Sequence, residues 1–190
     1  MSSDPVVDVL EAAVTVLEAA GVEYAITGSV ASSIHGEPYS SQDVDLVVRM
    51  TPEQARQIAE QLPQRFYRSE DALVQAARTC GMANLIDTET GLKVDLSVLA
   101  PSDFHDRVFE RRVMDSLGGA DREFAVVSAE DTILMKLAWR KETRSAKQWE
   151  NALGVARCKG ARMDWKYLFQ QAAKLGIVED LERLRDEAGI

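Results

Sequence analysis

Two aspartates one residue apart, Asp43 and Asp45, sit in the run Asp43-Val44-Asp45-Leu46-Val47-Val48. The alternation predicts a strand carrying both carboxylates on one face and Val44, Leu46 and Val48 on the other. Neighbouring like charges gain nothing from folding. A divalent cation removes their repulsion, and Mg²⁺ (or Mn²⁺) takes oxygen ligands, one or two carboxylates at a time, together with substrate phosphates. Upstream lies Gly28-Ser29, between the β-prone run Tyr24–Thr27 and the segment Ala31–Ile34. Glycine lets backbone N–H groups approach closely, and a following helix N-terminus attracts anions, so this turn suits a phosphate. The chemistry implied is that of a metal-bridged phosphate ester.

Asp95 is a third acid in a similar setting. In Leu92-Lys93-Val94-Asp95-Leu96-Ser97-Val98 the apolar and polar residues alternate throughout, which predicts a strand. A charge in the middle of a central strand is costly without a partner. Met82–Asp87 reads as the preceding strand, and Thr88-Glu89-Thr90-Gly91 as the turn that makes the two an antiparallel hairpin.

The elements that must position these groups are legible in outline. Asp4-Pro5 opens a first helix with an N-cap and a proline at the first helical position, and its apolar run ends at Gly21. Ala31–Ile34 gives one or two helical turns, stopped by Gly36 and Pro38. Thr51-Pro52-Glu53-Gln54 is a capping box opening a helix to about Leu62, and another helix runs from Ser69 to about Cys80. Phe104–Val113 reads as a helix ending near Gly118-Gly119, and Glu123–Val127 as a last strand. Ser128 then caps a helix to about Lys141. Ser145-Ala146-Lys147-Gln148 is a second capping box, Asp164 caps a further helix closed by Gly176, and a final helix starts near Val178. The expected organisation is a core over 1–127 and a helical region over 128–190.

A Gly-Ser turn followed by Asp-x-Asp on the next strand resembles the signature of the nucleotidyltransferase superfamily, whose fold is that of DNA polymerase beta. The resemblance implies an α/β (α+β) fold, a short mixed twisted sheet flanked by helices. It implies that Asp43, Asp45 and Asp95 form a carboxylate trio ligating one or two Mg²⁺ ions. It also implies that Asp95 is the base for an attacking hydroxyl and that NTP is the donor substrate. The C-terminal third adds Glu130-Asp131, Ile133-Leu134, Lys136-Leu137, Gln148-Trp149 and Leu175-Gly176. These resemble the minimal nucleotidyltransferases of the abortive-infection AbiEii/AbiGii toxin type, in which the helix lysine faces the triphosphate. That role carries over to Lys136 and, one turn on, to Arg140. Two departures stand out. Relatives often have Asp where this chain has Asn151, and a basic residue where it has Tyr39-Ser40-Ser41-Gln42. The acceptors implied are an RNA or tRNA end or a protein, with a cognate antitoxin or toxin as a partner. The alternatives are an aminoglycoside-type small-molecule acceptor or a non-catalytic partner-binding module.

Composition narrows the classes further. The chain has 190 residues and a net charge of −9, with 46% hydrophobic and 28% charged residues, as expected of a globular protein. Charge is uneven: residues 1–128 hold 21 acids and 10 bases, whereas Lys136–Lys166 holds nine bases and three acids. Nucleic-acid contact should therefore concentrate on that stretch. An aminoglycoside polycation would instead suit the acidic body. Apolar runs are too short for a membrane span, and the acidic N-terminus does not read as a secretory signal, so a cytoplasmic protein is expected. Cys80 and Cys158, far apart and without neighbouring ligand residues, are expected to be part-buried thiols rather than a disulfide or zinc site. His35 and His105 carry no assigned role. Neither a nucleophile triad, a P-loop nor a dinucleotide fingerprint is present.

Overall fold

The computed structural model describes residues 4–38, 43–117, 120 and 122–190. Tyr39–Gln42 and the Gly118-Gly119 turn lie outside the described residues. The chain forms two compact units, Met1–Thr27 with Ser41–Val126, and Gly28–Ser40 with Val127–Ile190.

The first unit is built on one mixed seven-stranded sheet, in the order β3-β4-β5-β2-β1-β7-β6. Its strands are β1 (Glu23–Ile26), β2 (Asp43–Arg49), β3 (Phe66–Tyr67), β4 (Met82–Asp87), β5 (Lys93–Val98), β6 (Val113–Ser116) and β7 (Glu123–Val126). The central pair β2 and β5 is parallel, while β4–β5 and β1–β2 are antiparallel. Both alternating runs behave as their sequences require. Val44, Leu46 and Val48 of β2 and Val94, Leu96 and Val98 of β5 are buried. Helix α1 (Pro5–Ala19) packs on β1 and β5 with Leu10, Ala13, Val14 and Leu17 fully covered. Its start is fixed by Asp4, whose carboxylate accepts the Val6 N–H at 2.9 Å. Helices α3 (Pro52–Gln61) and α4 (Glu70–Thr79) pack together, and the Thr51–Gln54 capping box forms in both directions. The acid Asp87 at the β4 end is fully buried, with Arg65 Nε 3.0 Å from Oδ2 as an ion pair and the Glu89 and Thr90 N–H groups on Oδ1.

The second unit is helical: α2 (Gly28–His35), α6 (Ala129–Thr143), α7 (Ala146–Lys159), α8 (Trp165–Leu175) and α9 (Val178–Ala188). Helix α2 packs on α6 and α7. A buried polar knot ties α6 to α8. Ser128 Oγ donates to Asp131 Oδ2 at 2.7 Å, and the Tyr167 hydroxyl donates to Oδ1 at 2.6 Å. The His35 Nε2–H donates to Val127 O at 2.7 Å, which fixes the protonated nitrogen of this buried ring.

The α/β class with a helical C-terminal region holds. Several local expectations do not. The helix expected over Phe104–Val113 stops at Glu110, as α5 (Asp103–Glu110), and Val113–Ser116 is the edge strand β6. That strand has no fully buried residue, so it leaves no alternating apolar pattern to read. Two-residue β3 is too short to signal itself. Helix α2 begins at Gly28 itself rather than at Ala31, and Ser145 makes no side-chain capping bond to α7. Cys80 and Cys158 are both exposed. No helix among the described residues is long and apolar enough to cross a membrane.

Candidate functional site

In the sheet unit, the parallel register of β2 and β5 sets Asp45 directly beside Asp95 and Asp43 beside Lys93. Strand alternation then puts Asp43, Asp45 and Asp95 on one face, opposite Val44, Leu46, Val48, Val94, Leu96 and Val98. All three keep solvent access, Asp43 as an exposed residue and the other two half-buried. The Thr27 N–H donates to Asp45 O at 2.8 Å, so β1 stays paired with β2 up to the residue preceding Gly28. On the other side of Asp95, the in-register Asn84 of β4 donates its Nδ2–H to Asp95 Oδ1 at 3.1 Å. One oxygen of Asp95 is thus held while Oδ2 has no protein partner among the described residues. Asn84 was not singled out in the sequence, although the signal existed. It lies on the polar face of Met82–Asp87, and the Thr88–Gly91 turn fixes which residue it opposes.

Hard carboxylate oxygens on one face are the donor set that Mg²⁺ or Mn²⁺ prefers. Among the described residues, no three His, Cys, Asp or Glu side chains are gathered closely enough to hold a metal ion by themselves. A pair suffices for a cation that takes its remaining ligands from substrate phosphates and water, and Asp43 with Asp45, on the same face as Asp95, fits that pattern.

In the helical unit, Gly28 has φ +65°, a left-handed conformation that a side chain would strain. From it α2 starts at once, and first-turn N–H groups have no acceptor within their own helix. Ser29 is buried, its hydroxyl without a hydrogen bond among the described residues. Lys136 on α6 is only 6% exposed. Its Nζ donates to Asn151 Oδ1 of α7 at 3.2 Å, so it is a buried group rather than a solvated helix lysine. Arg140, one turn on, is committed within the unit. Its Nη1 donates to Asp180 of α9 at 3.0 Å, and its guanidinium lies 4.8 Å from the Trp149 ring, which Arg183 also faces at 4.8 Å. That geometry ties α6, α7 and α9 together. Asn151 stands out in the sequence only as a departure from the relatives' Asp, because its partner lies fifteen positions away on another helix, a contact no local pattern announces.

Two groups of the sheet unit, Tyr24 and Arg122, have displaced pKa values. Burial raises the Tyr24 hydroxyl above the ordinary 10.0, with the nearby Glu18 carboxylate adding to it. Arg122 is raised by its hydrogen bond to the same Glu18.

Comparison with solved structures accounts for the architecture. An antigenic nucleotidyltransferase-like protein from Paracoccidioides brasiliensis superposes with TM-score 0.54 at 15% identity, covering 97% of this chain and 94% of that one. The antibiotic-resistance factor ANT(2'')-Ia does so with TM-score 0.56 at 15% identity, covering 93% and 95%. The fold is that of the nucleotidyltransferases. ANT(2'')-Ia has also been solved in complex with adenylyl-2''-tobramycin, and that structure superposes with TM-score 0.54 at 14% identity over 89% and 95% of the two chains. No family model matches the sequence, and no curated protein does.

Proposed function

We propose that this protein transfers a nucleoside monophosphate from an NTP to a hydroxyl acceptor. The observation that carries the reading is the in-register placement of Asp45 beside Asp95 on the central parallel pair, with Asp43 on the same face. Three acids on one sheet face repel one another, and a metal-dependent phosphoryl site gives them a purpose. The near full-length likeness to nucleotidyltransferase folds supports it.

Asp43 and Asp45, joined by Asp95, are the residues that would hold Mg²⁺ or Mn²⁺. When bound, that ion supplies charge neutralisation for the triphosphate and the leaving pyrophosphate. The Gly28 conformation opens the α2 N-terminus to a phosphate, and the Ser29 hydroxyl adds a donor. Asp95 accepts the proton of the acceptor hydroxyl at Oδ2, while Asn84 keeps Oδ1 and the plane of the carboxylate fixed. The acceptor oxygen then forms its bond to the α-phosphorus as the bond to the β-phosphate oxygen breaks, and pyrophosphate departs. Lys136, buried and backed by Asn151, contributes positive charge toward the triphosphate. Arg140 is left to hold the helices.

The preferred acceptor is an RNA end or a protein hydroxyl, in a toxin–antitoxin setting. Exposed Lys141, Arg144, Lys147, Arg157, Arg162 and Lys166 favour the RNA end, because they leave a basic surface on an otherwise acidic protein. An aminoglycoside acceptor is the second reading, favoured by the ANT(2'')-Ia likeness. The test is thermal. NTP with Mg²⁺ should raise the melting temperature by the linkage expected for a saturating ligand, about 2.7 kcal/mol at a hundredfold excess over Kd. Equal stabilisation by NTP in EDTA would rule out a metal-bridged triphosphate.

A further inference from the structure

The sheet has two edges, and they are built differently. Strand β3 is two residues long, too short to template a further strand. Strand β6 runs in unbroken register with β7, from Val113 opposite Val126 to Ser116 opposite Glu123. It has no bulge, no proline and no lysine, the devices that commonly blunt an edge. Val113 and Met114 point to opposite faces of the sheet and are 39% and 56% exposed, so apolar surface is bare on both sides of the strand.

The hydrogen bonds of β7 show which backbone groups of β6 are left over. Ala125 donates its N–H to the hydroxyl of Tyr24, a residue of β1, at 3.4 Å. Its backbone therefore faces β1. Met114, directly opposite Ala125, then belongs to a non-hydrogen-bonded pair, and its own N–H and C=O turn outward. Ser116 turns outward for the same reason, but its N–H is already taken by Asp115 Oδ1 at 2.8 Å. The open edge thus centres on Met114, and alternation brings the Arg112 backbone out next on the N-terminal side.

The charges along this edge name its occupant. Arg111-Arg112-Val113-Met114-Asp115 runs from positive through apolar to negative. Laid antiparallel to a second copy of itself, with Val113 against Val113, it sets Met114 against Arg112 and Asp115 against Arg111. Outward backbone groups then meet at each Met114–Arg112 pair, and each Asp115 faces an arginine. Asp115 has no ion-pair partner within the chain among the described residues. The Arg112 guanidinium is held by Glu23 Oε1 at 3.1 Å, which leaves its aliphatic stem to Met114. Registers that use Ser116 instead meet an N–H that Asp115 already occupies.

We propose that β6 is a self-association edge, at which two copies of the chain pair antiparallel about a two-fold at Val113 and join their sheets. The inference goes beyond nucleotidyl transfer and does not depend on it. The contact is isologous, so it closes on itself and stops at a dimer. A strand this short buries less than the roughly 800 Å² per partner of a stable complex, so the dimer forms and dissociates with protein concentration.

Sedimentation velocity on the full chain, from about 1 µM to about 1 mM, spans the range in which so small an interface comes apart. The wild type should pass from monomer to dimer across it. Asp115→Lys sets a lysine against Arg111 at both ends and should stay monomeric. Arg111→Glu sets a glutamate against Asp115 and should do the same. A one-to-one mixture of these two variants should dimerise again, because both cross-pairs are then opposite in sign. Met114→Pro removes the outward N–H and no bond to β7, so it should stay monomeric whether or not Arg111→Glu folds. In the wild type the Met114 amide should exchange with solvent about tenfold more slowly once about nine chains in ten are paired. A wild type that remains monomeric throughout, its Met114 amide equally fast at both concentrations, would overturn the proposal and leave the edge to a strand of some other protein. Dimerisation that persists in both Asp115→Lys and Met114→Pro would place the interface elsewhere and overturn it too. A mixture of well-folded charge variants that stays monomeric would refute the Val113 register.

Discussion

Gly36 sets how closely the end of α2 can approach α7, and its replacement tests whether that contact holds the two helices in place. A Cβ built at Gly36 would lie 2.7 Å from Val155 N, 2.8 Å from Gly154 C and 2.9 Å from Val155 Cα. All three atoms belong to the backbone of α7, so no flexible side chain can swing aside. Gly36→Ala must push α2 off α7. Overpacking of this kind costs about 1–3 kcal/mol, offset by about 0.4–1 kcal/mol from the stiffer unfolded chain. A net loss of about 1–2 kcal/mol corresponds to a drop of roughly 2–8 °C in melting temperature for a protein of this size. Gly154→Ala is the internal control. Its nearest neighbour would be Glu37 Cβ at 3.7 Å, an ordinary contact, and it removes a mid-helix glycine. It should raise stability by up to about 1 kcal/mol. Differential scanning calorimetry on the two variants reads both signs at once. Because α2 carries Gly28 and Ser29, Gly36→Ala should also weaken Mg²⁺–NTP binding. Equal melting temperatures for the two variants would refute the packing argument.

Other consequences are more local. Asp95→Asn should retain Mg²⁺–NTP binding through Asp43 and Asp45 yet lose about 10²–10⁴-fold in transfer, the usual worth of a positioned base; unchanged transfer kinetics would remove Asp95 from the mechanism. Arg65→Ala leaves the fully buried Asp87 with only its two turn N–H donors and should cost about 1–3 kcal/mol in urea denaturation, part of the full cost of breaking a buried pair because Arg65 is itself part-exposed. The raised pKa of Tyr24 means that the fold favours its neutral form. That stability is fully present below the ordinary tyrosine value of 10.0 and is lost as pH rises through the higher folded value. Melting temperature should accordingly fall more steeply above pH 10 in the wild type than in Tyr24→Phe.

How much of this was legible in the sequence depends on the range of the interaction. Asp43, Asp45 and Asp95 could be placed because strand alternation is a two-residue pattern written in the chain itself. Their partnership across β2 and β5 needed the register, which a parallel pairing does not reveal locally. The capping box at Thr51 was legible because both its halves lie within four residues, yet the same spacing at Ser145 makes no side-chain capping bond, so the local pattern is not sufficient. Edge strand β6 was hidden because an exposed strand has no reason to alternate. The triphosphate role of Lys136 comes from the resemblance to the minimal nucleotidyltransferases and not from any local pattern. Its burial, its bond to Asn151 and the diversion of Arg140 to Asp180 arise from three helices meeting, and no single stretch encodes them.

The central claim is that the α-phosphate of an NTP ends up on an acceptor hydroxyl. The most direct measurement incubates the protein with Mg²⁺ and NTPs labelled either at the α- or at the γ-phosphate, in the presence of total RNA and a cell lysate, and asks which label becomes covalently attached. Nucleotidyl transfer predicts that the α-label is incorporated, that the γ-label is released in pyrophosphate, and that Asp43→Ala abolishes incorporation. Attachment of the γ-label, or α-label incorporation that survives Asp43→Ala, would contradict it.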